Sequence, residues 1–111
     1  MKLPSTIRFA DEKIKEAFYM LELGDNQERQ LFLSINQTLD KIEKNAFSGV
    51  QIPKRLIPIV YAEKYGVTNL WKYDLPEGWR LIYSITRDTI IVVSLILEWF
   101  DHKNYERRFN Y

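Results

Sequence analysis

The chain has 111 residues, a formal net charge of +1, no cysteine and one histidine. This length fits one domain, and the composition excludes disulfide frameworks, thiolate metal sites and histidine-rich metal clusters. The N-terminus has no apolar run typical of a signal peptide, and no stretch reaches the roughly 18 apolar residues of a membrane span. We therefore expect a cytoplasmic protein without a membrane segment, a metal or a cofactor.

The N-terminal half predicts a strand followed by two helices. Residues 6–10 have the pattern of a short strand, and Asp11 can cap a helix that ends near Gly24. Asp25 and Glu28 have capping-box spacing and begin a second helix that continues to about residue 45. Each helix has one apolar stripe. The stripes are Ile14, Ala17, Phe18 and Leu21 in the first helix, and Leu31, Ile35, Leu39 and Ile42 in the second. Burial of both stripes on a sheet predicts a two-layer α+β domain.

The middle of the chain predicts a loop and one more helix. Residues 48–55 contain glycine and proline without usable periodicity, so they predict a loop that exposes Lys54 and Arg55. Loops that carry cations often bind anions. Pro58 and Gly66 have the positions typical of the start and the end of a short helix.

The C-terminal half predicts three strands and a helix. Residues 71–75 alternate between apolar and polar, Pro76-Glu77-Gly78 forms a turn, and residues 79–86 return as the paired strand of a hairpin. A second turn at Arg87-Asp88 precedes residues 90–97, whose Ile, Val and Leu content indicates burial on both faces. A polar tail then begins a helix near Asp101.

The alternation also predicts which side chains share a face of this hairpin. Lys72 and Asp74 lie on one face of the first strand, and Arg80 lies on the corresponding face of the second. We therefore expect Arg80 near Lys72 or Asp74.

The segment WKYDLPEGWRLIYSI, the apolar strand after it and the tail DHKNYERRF together resemble the RelE/ParE superfamily of toxins. The resemblance is best over residues 69–109. It implies a single domain, 1–111, with a RelE/ParE-like fold: an N-terminal strand, an α-hairpin, an antiparallel sheet and a short C-terminal helix. It also implies a type II toxin that cleaves mRNA in the ribosome without a metal, and a cognate antitoxin that neutralises it in a hetero-oligomer.

Such cleavage requires a base for the 2′-hydroxyl, cations for the transition state and an acid for the leaving oxygen. The resemblance assigns these roles to Lys72, Arg80, His102 and Tyr105, with Arg80 in the motif GxRLxY. A helix that begins near Asp101 would put His102 and Tyr105 on one face, where one transfers a proton and the other stacks a base. The structural alternatives are an Arg80 salt bridge to Asp74, an ordinary surface His102 and a Tyr105 that closes the core.

Further cations would contact rRNA and mRNA if the chain is a ribosome-dependent nuclease. They lie in the loop and in the tail. These residues are Lys54, Arg55, Lys103, Arg107 and Arg108.

Asp74 departs from relatives that carry a second lysine there. A carboxylate near the scissile phosphate would repel it, so Asp74 either orients Arg80 or acts as a base with a raised pKa. This departure and the near-neutral charge favour an alternative: a ParE-like gyrase inhibitor, or a degenerate toxin that binds an antitoxin and cuts nothing. A generic α+β binding domain is a third possibility, because fold does not fix function.

Overall fold

The structure, a computed structural model, describes residues 2–87 and 92–109. The predicted turn residue Asp88 and the predicted strand start at Ile90 lie outside these ranges. The strands are β1 (Thr6–Phe9), β2 (Val50–Gln51), β3 (Trp71–Asp74), β4 (Arg80–Arg87) and β5 (Val92–Phe100). The helices are α1 (Glu12–Glu22), α2 (Asn26–Lys44), α3 (Ile59–Tyr65) and α4 (His102–Phe109). Within the described ranges, no helix is both long and apolar enough to cross a membrane.

The helix starts confirm the local sequence signals. The Asp11 carboxylate accepts a hydrogen bond from the Ile14 N–H at 2.9 Å and caps α1. Asp25 and Glu28 form the predicted capping box: the Glu28 N–H donates to Asp25 Oδ1 at 2.9 Å, and the Asp25 N–H donates to Glu28 Oε1 at 3.3 Å. Gly66 ends α3 in the left-handed conformation at φ 66°.

The five strands form one mixed sheet, in which the N-terminal strand joins the predicted antiparallel strands as a parallel edge. Its order is β1-β5-β4-β3-β2, and β1 runs parallel to β5 while the other neighbours are antiparallel. A parallel pair needs a long crossover connection, and the chain between β1 and β5 supplies it. The domain is therefore α+β, with the N-terminal strand incorporated beside the most apolar strand.

Both faces of the sheet are covered, so two layers do not describe the domain. One core cluster joins α1 and α2 to one face through residues such as Phe18, Ile35 and Leu81. A second cluster joins α3 and α4 to the opposite face through Tyr61 and Tyr105. The physical reason is the apolar character of β4 and β5 on both faces, since a sheet buried on one side alone would leave the other hydrocarbon surface in water.

The predicted loop over residues 48–55 contains β2 between two short 3-10 helices, Ala46–Ser48 and Lys54–Leu56. β2 pairs with β3, with Val50 opposite Lys72. Gly49 permits this approach, because a Cβ there would lie 2.4 Å from the Lys72 carbonyl oxygen. A loop was predicted because the decisive contact is remote in sequence.

Candidate functional site

The β3–β4 hairpin brings three charged side chains together. Asp74 lies opposite Arg80 in the strand register, and the Leu75 N–H donates to the Trp79 carbonyl at 2.8 Å across the turn. Arg80 Nε lies 2.9 Å from Asp74 Oδ1, and Lys72 Nζ lies 3.5 Å from the same oxygen. The predicted proximity of Arg80 to Lys72 and Asp74 is therefore confirmed. Two cations share one carboxylate, which leaves a net positive cluster.

The guanidinium of Arg80 is held by the turn that precedes its strand as well as by Asp74. Its Nη1 donates to the Gly78 carbonyl at 2.8 Å and reaches the Trp79 carbonyl at 3.4 Å. The Arg80 side chain is only 18% exposed, whereas that of Asp74 is 59% exposed. The planar group thus has a fixed direction, which a phosphate-binding arginine requires.

Tyr105 supports both cations from α4. Its ring centroid lies 5.7 Å from Lys72 Nζ and 5.4 Å from Arg80 Cζ, within the range of cation–π attraction. The residue is 2% exposed, and its ring packs against Phe109 with centroids 4.6 Å apart. The ring is therefore a platform for the cations and offers no open face for stacking a base.

His102 lies at the first turn of α4, and its imidazole Nε2 contacts the Glu106 carboxylate one turn along the helix. The His102 side chain is 64% exposed, whereas Tyr105 is 2% exposed, so the imidazole lies at the solvent edge of the helix and the phenol ring lies in the core. Residues three apart are displaced by about 60° around a helix, and the burial of Tyr105 turns His102 outward. The helix start nevertheless lies beside the hairpin, because a Cβ on Gly78 would lie 3.4 Å from His102 Cβ.

The other predicted RNA-binding cations divide into two groups. Lys54, Arg55, Lys103 and Arg107 are exposed. Arg108 instead pairs with Glu98 at 3.2 Å, and its guanidinium lies over the rings of Tyr61 and Phe100. Its charge is thus compensated within the fold.

Sequence reasoning missed Tyr61, whose ring lies under the Arg108 guanidinium of this ion pair. The residue is fully buried in the second core cluster. Burial raises the pKa of Tyr61 well above its ordinary value, and the negative charge of nearby Glu98 raises it further. Tyr61 lies in the short helix that the sequence predicts after Pro58, which is the one sequence signal for its burial. Its partners Glu98 and Arg108 come from β5 and α4, which are distant in the sequence.

Sequence reasoning also missed a cavity of about 490 Å³ where β5 continues into α4. We call it the tryptophan pocket. Its lining consists of Trp79, Trp99, Phe100, Asp101, Asn104, Arg107 and Arg108. The signal for it in the sequence is the pair Trp79 and Trp99, which lie near the ends of the predicted strands 79–86 and 90–97.

Among residues 2–87 and 92–109, no group of three or more His, Asp or Glu side chains is arranged to hold a metal ion. No protein-family model, curated protein or solved structure matches the chain. A function must therefore be argued from the contacts of the chain itself.

Proposed function

We propose that this protein is a RelE-like toxin of a type II toxin–antitoxin system, with a RelE/ParE-like fold, that cleaves ribosome-bound mRNA in the cytoplasm without a metal. A cognate antitoxin would neutralise it in a hetero-oligomer. The observation that carries the proposal is the cluster in which Lys72 and Arg80 lie over the ring of Tyr105. Cations fixed in direction before the substrate arrives are what a phosphoryl transition state requires.

Arg80 would bind the scissile phosphate, and Lys72 would share the developing negative charge. Both side chains are partly buried, which strengthens their interaction with an anion relative to freely solvated cations. His102 is the residue suited to proton transfer, since its imidazole is exposed, oriented by Glu106 and close to the Gly78 turn. Buried Tyr105 would position the two cations.

The exposed cations on both sides of the cluster would bind the RNA backbone and the ribosome. Lys54 and Arg55 follow β2, which pairs with the Lys72 strand. Lys103 and Arg107 lie on α4, the helix that carries Tyr105. Backbone contacts of this kind supply affinity that weakens with salt.

A second function is favoured by one specific observation. Arg80 is already engaged by Asp74 and by two backbone carbonyls, so the cluster is also a stable structural unit. In a protein that binds a partner through this surface and cleaves nothing, the cluster would keep the surface in a fixed shape. This candidate is a ParE-like gyrase inhibitor or a degenerate toxin that binds an antitoxin.

Induced expression in a tolerant host separates the candidates. Wild type, Arg80→Ala and Arg87→Ala are compared by growth and by primer extension on a translated message. Arg87 is a matched control because it is an exposed arginine at the opposite end of the same strand. We expect codon-phased cuts from wild type and from Arg87→Ala, and a loss of at least about 100-fold in Arg80→Ala.

Two other outcomes contradict the nuclease, and a third contradicts only the role of Arg80. Arrested growth with intact message indicates gyrase or another target. Soluble protein with neither effect indicates a non-cleaving binding protein. Equal cutting by Arg80→Ala and wild type removes Arg80 from the site.

Asp74→Asn tests the role of the carboxylate within the same assay. If Asp74 only pairs with Arg80 until RNA binds, Asp74→Asn removes an anion that competes with the phosphate, and cutting is preserved or enhanced. If Asp74 is the base, cutting falls together with that of Arg80→Ala.

A further inference from the structure

The tryptophan pocket lies outside the cation cluster, and the proposed cleavage does not use its two indoles or Asp101. We propose that it binds a guanine base of single-stranded RNA. The inference rests on the proposed RNA-binding function and names a nucleotide that the protein would select. It follows from three properties of the pocket: its aromatic walls, a fixed carboxylate and an available cation.

The walls are two partly buried indoles. Trp99 pairs with Leu81 in the strand register, and Trp79 lies two residues before Leu81, so both indoles project from the same face. The ring of Trp99 is steadied by an edge contact with Phe18, with centroids 6.4 Å apart. Each indole remains partly accessible where it lines the cavity. Aromatic side chains in this state are the usual stacking partners of unpaired bases.

The carboxylate is that of Asp101. Its Oδ1 accepts the Asn104 N–H at 2.8 Å, which fixes the group at the start of α4. A carboxylate retains further acceptor positions when one is occupied. Guanine presents two adjacent N–H donors on its Watson–Crick edge, whereas adenine presents an acceptor beside its amino group. A fixed acceptor therefore favours guanine.

The cation is Arg107. It is exposed at the pocket, and in the described part of the chain no carboxylate forms an ion pair with it. Arg108, the other arginine of the lining, is paired with Glu98. Arg107 is therefore the residue that would contact the phosphate of the bound nucleotide.

The pocket is also positioned to act with the cation cluster. Arg80 pairs with Phe100 in the register, and Trp79 is its chain neighbour, so the two sites lie at the same end of the sheet, with the cations and the indoles on opposite faces. An RNA strand that crosses this end could place one phosphate on Arg80 and an adjacent base between the indoles. Base binding would then fix the register of the cut.

Equilibrium binding tests the pocket without cleavage. The probes are a five-nucleotide 2′-O-methyl RNA with a central guanine among uridines and the same RNA with a central adenine. The methyl groups block attack by the 2′-oxygen. We expect the guanine probe to quench tryptophan fluorescence and to bind about tenfold more tightly than the adenine probe.

Matched variants assign the signal to the pocket. Trp71→Phe should keep the quenching, since Trp71 packs against Phe47 and Tyr83 further along the sheet. Asp101→Asn should keep the helix cap, because asparagine caps as well as aspartate, and should abolish the preference for guanine. Circular dichroism confirms that each variant is folded.

The exposed arginine gives a test that does not risk unfolding. Arg107→Gln should weaken both probes about equally, by about threefold to tenfold at low salt, with no change in their ratio. Lys103→Gln removes the same charge from the same helix outside the pocket lining and should have the smaller effect.

Equal affinity for the two probes, a guanine preference that survives Asp101→Asn, or no quenching by either probe would each overturn the proposal. The proposed nuclease fails separately. If the protein binds guanine selectively but cuts no message, the proposed pocket function stands and the proposed nuclease is wrong. If it makes codon-phased cuts but does not select guanine, only the proposed pocket function is wrong.

Discussion

Replacement of Tyr83 by phenylalanine should destabilise the protein through two hydrogen bonds that fasten the segment before β2 to the sheet. The Tyr83 hydroxyl donates to the Ala46 carbonyl at 2.6 Å and accepts the Gly49 N–H at 2.9 Å. Tyr83 and Ala46 are fully buried. Leaving one buried polar group without its partner costs about 1–3 kcal/mol. Because Gly49 is only partly buried and water can reach its N–H, we expect the free energy of unfolding to fall by about 2 kcal/mol.

Guanidinium unfolding followed by far-ultraviolet circular dichroism measures this change, with equal slopes for the two proteins as the condition for comparison. Tyr73→Phe is the matched control. The Tyr73 hydroxyl accepts an exposed hydrogen bond from Lys41 Nζ at 3.4 Å, so its loss should cost less than about 0.5 kcal/mol. A Tyr83→Phe protein within about 0.5 kcal/mol of wild type would refute the role assigned to the hydroxyl.

Three further outcomes follow from the same region and from one helix end. Gly49→Ala should lower the free energy of unfolding by more than about 2 kcal/mol, because the added Cβ would collide with the Lys72 backbone. Gly66→Ala should lower it by only about 1 kcal/mol, because the Cβ has open space and only the left-handed backbone is strained. Denaturant titration compares the two variants. Burial raises the pKa of Tyr83 to about 12, so its contribution is complete below pH 10, where the unfolded side chain begins to ionise, and is lost as the pH rises to 12. Wild type should therefore lose about 1.4 kcal/mol more per pH unit than Tyr83→Phe in unfolding curves across that interval. Asp11→Ala should destabilise α1 by about 1 kcal/mol, and Asp11→Asn by much less, in thermal melts.

The features that the sequence predicted correctly depend on residues close together in the chain. The caps at Asp11 and Asp25 need only partners three residues away. The meeting of Arg80 with Asp74 follows from the turn, because a short hairpin connection sets the register of both strands. In each case, local stereochemistry determines the contact.

The features that it did not predict depend on remote contacts. β1 lies beside β5 although most of the chain separates them, and no local pattern encodes that pairing. β2 pairs with β3, and the Gly49 N–H just before it donates to the Tyr83 hydroxyl, 34 residues away in sequence. The outward direction of His102 follows from the docking of Tyr105 and Phe109, one turn apart, into the second core cluster.

The candidate site also shows what substrate binding would require of Asp74. A guanidinium can bind two phosphate oxygens through a pair of parallel N–H groups. In the described residues, the polar contacts of Arg80 are made by Nε and Nη1. The Nη1 contacts are to backbone carbonyls of the same hairpin, so they can remain while RNA binds. The Nε contact is to Asp74, whose side chain is 59% exposed, so water already solvates the carboxylate when it separates from Arg80. A phosphate can therefore replace Asp74 at Nε while Gly78 still holds the group in direction. In this arrangement, the Asp74 carboxylate would preserve the geometry of Arg80 until the proposed RNA substrate binds.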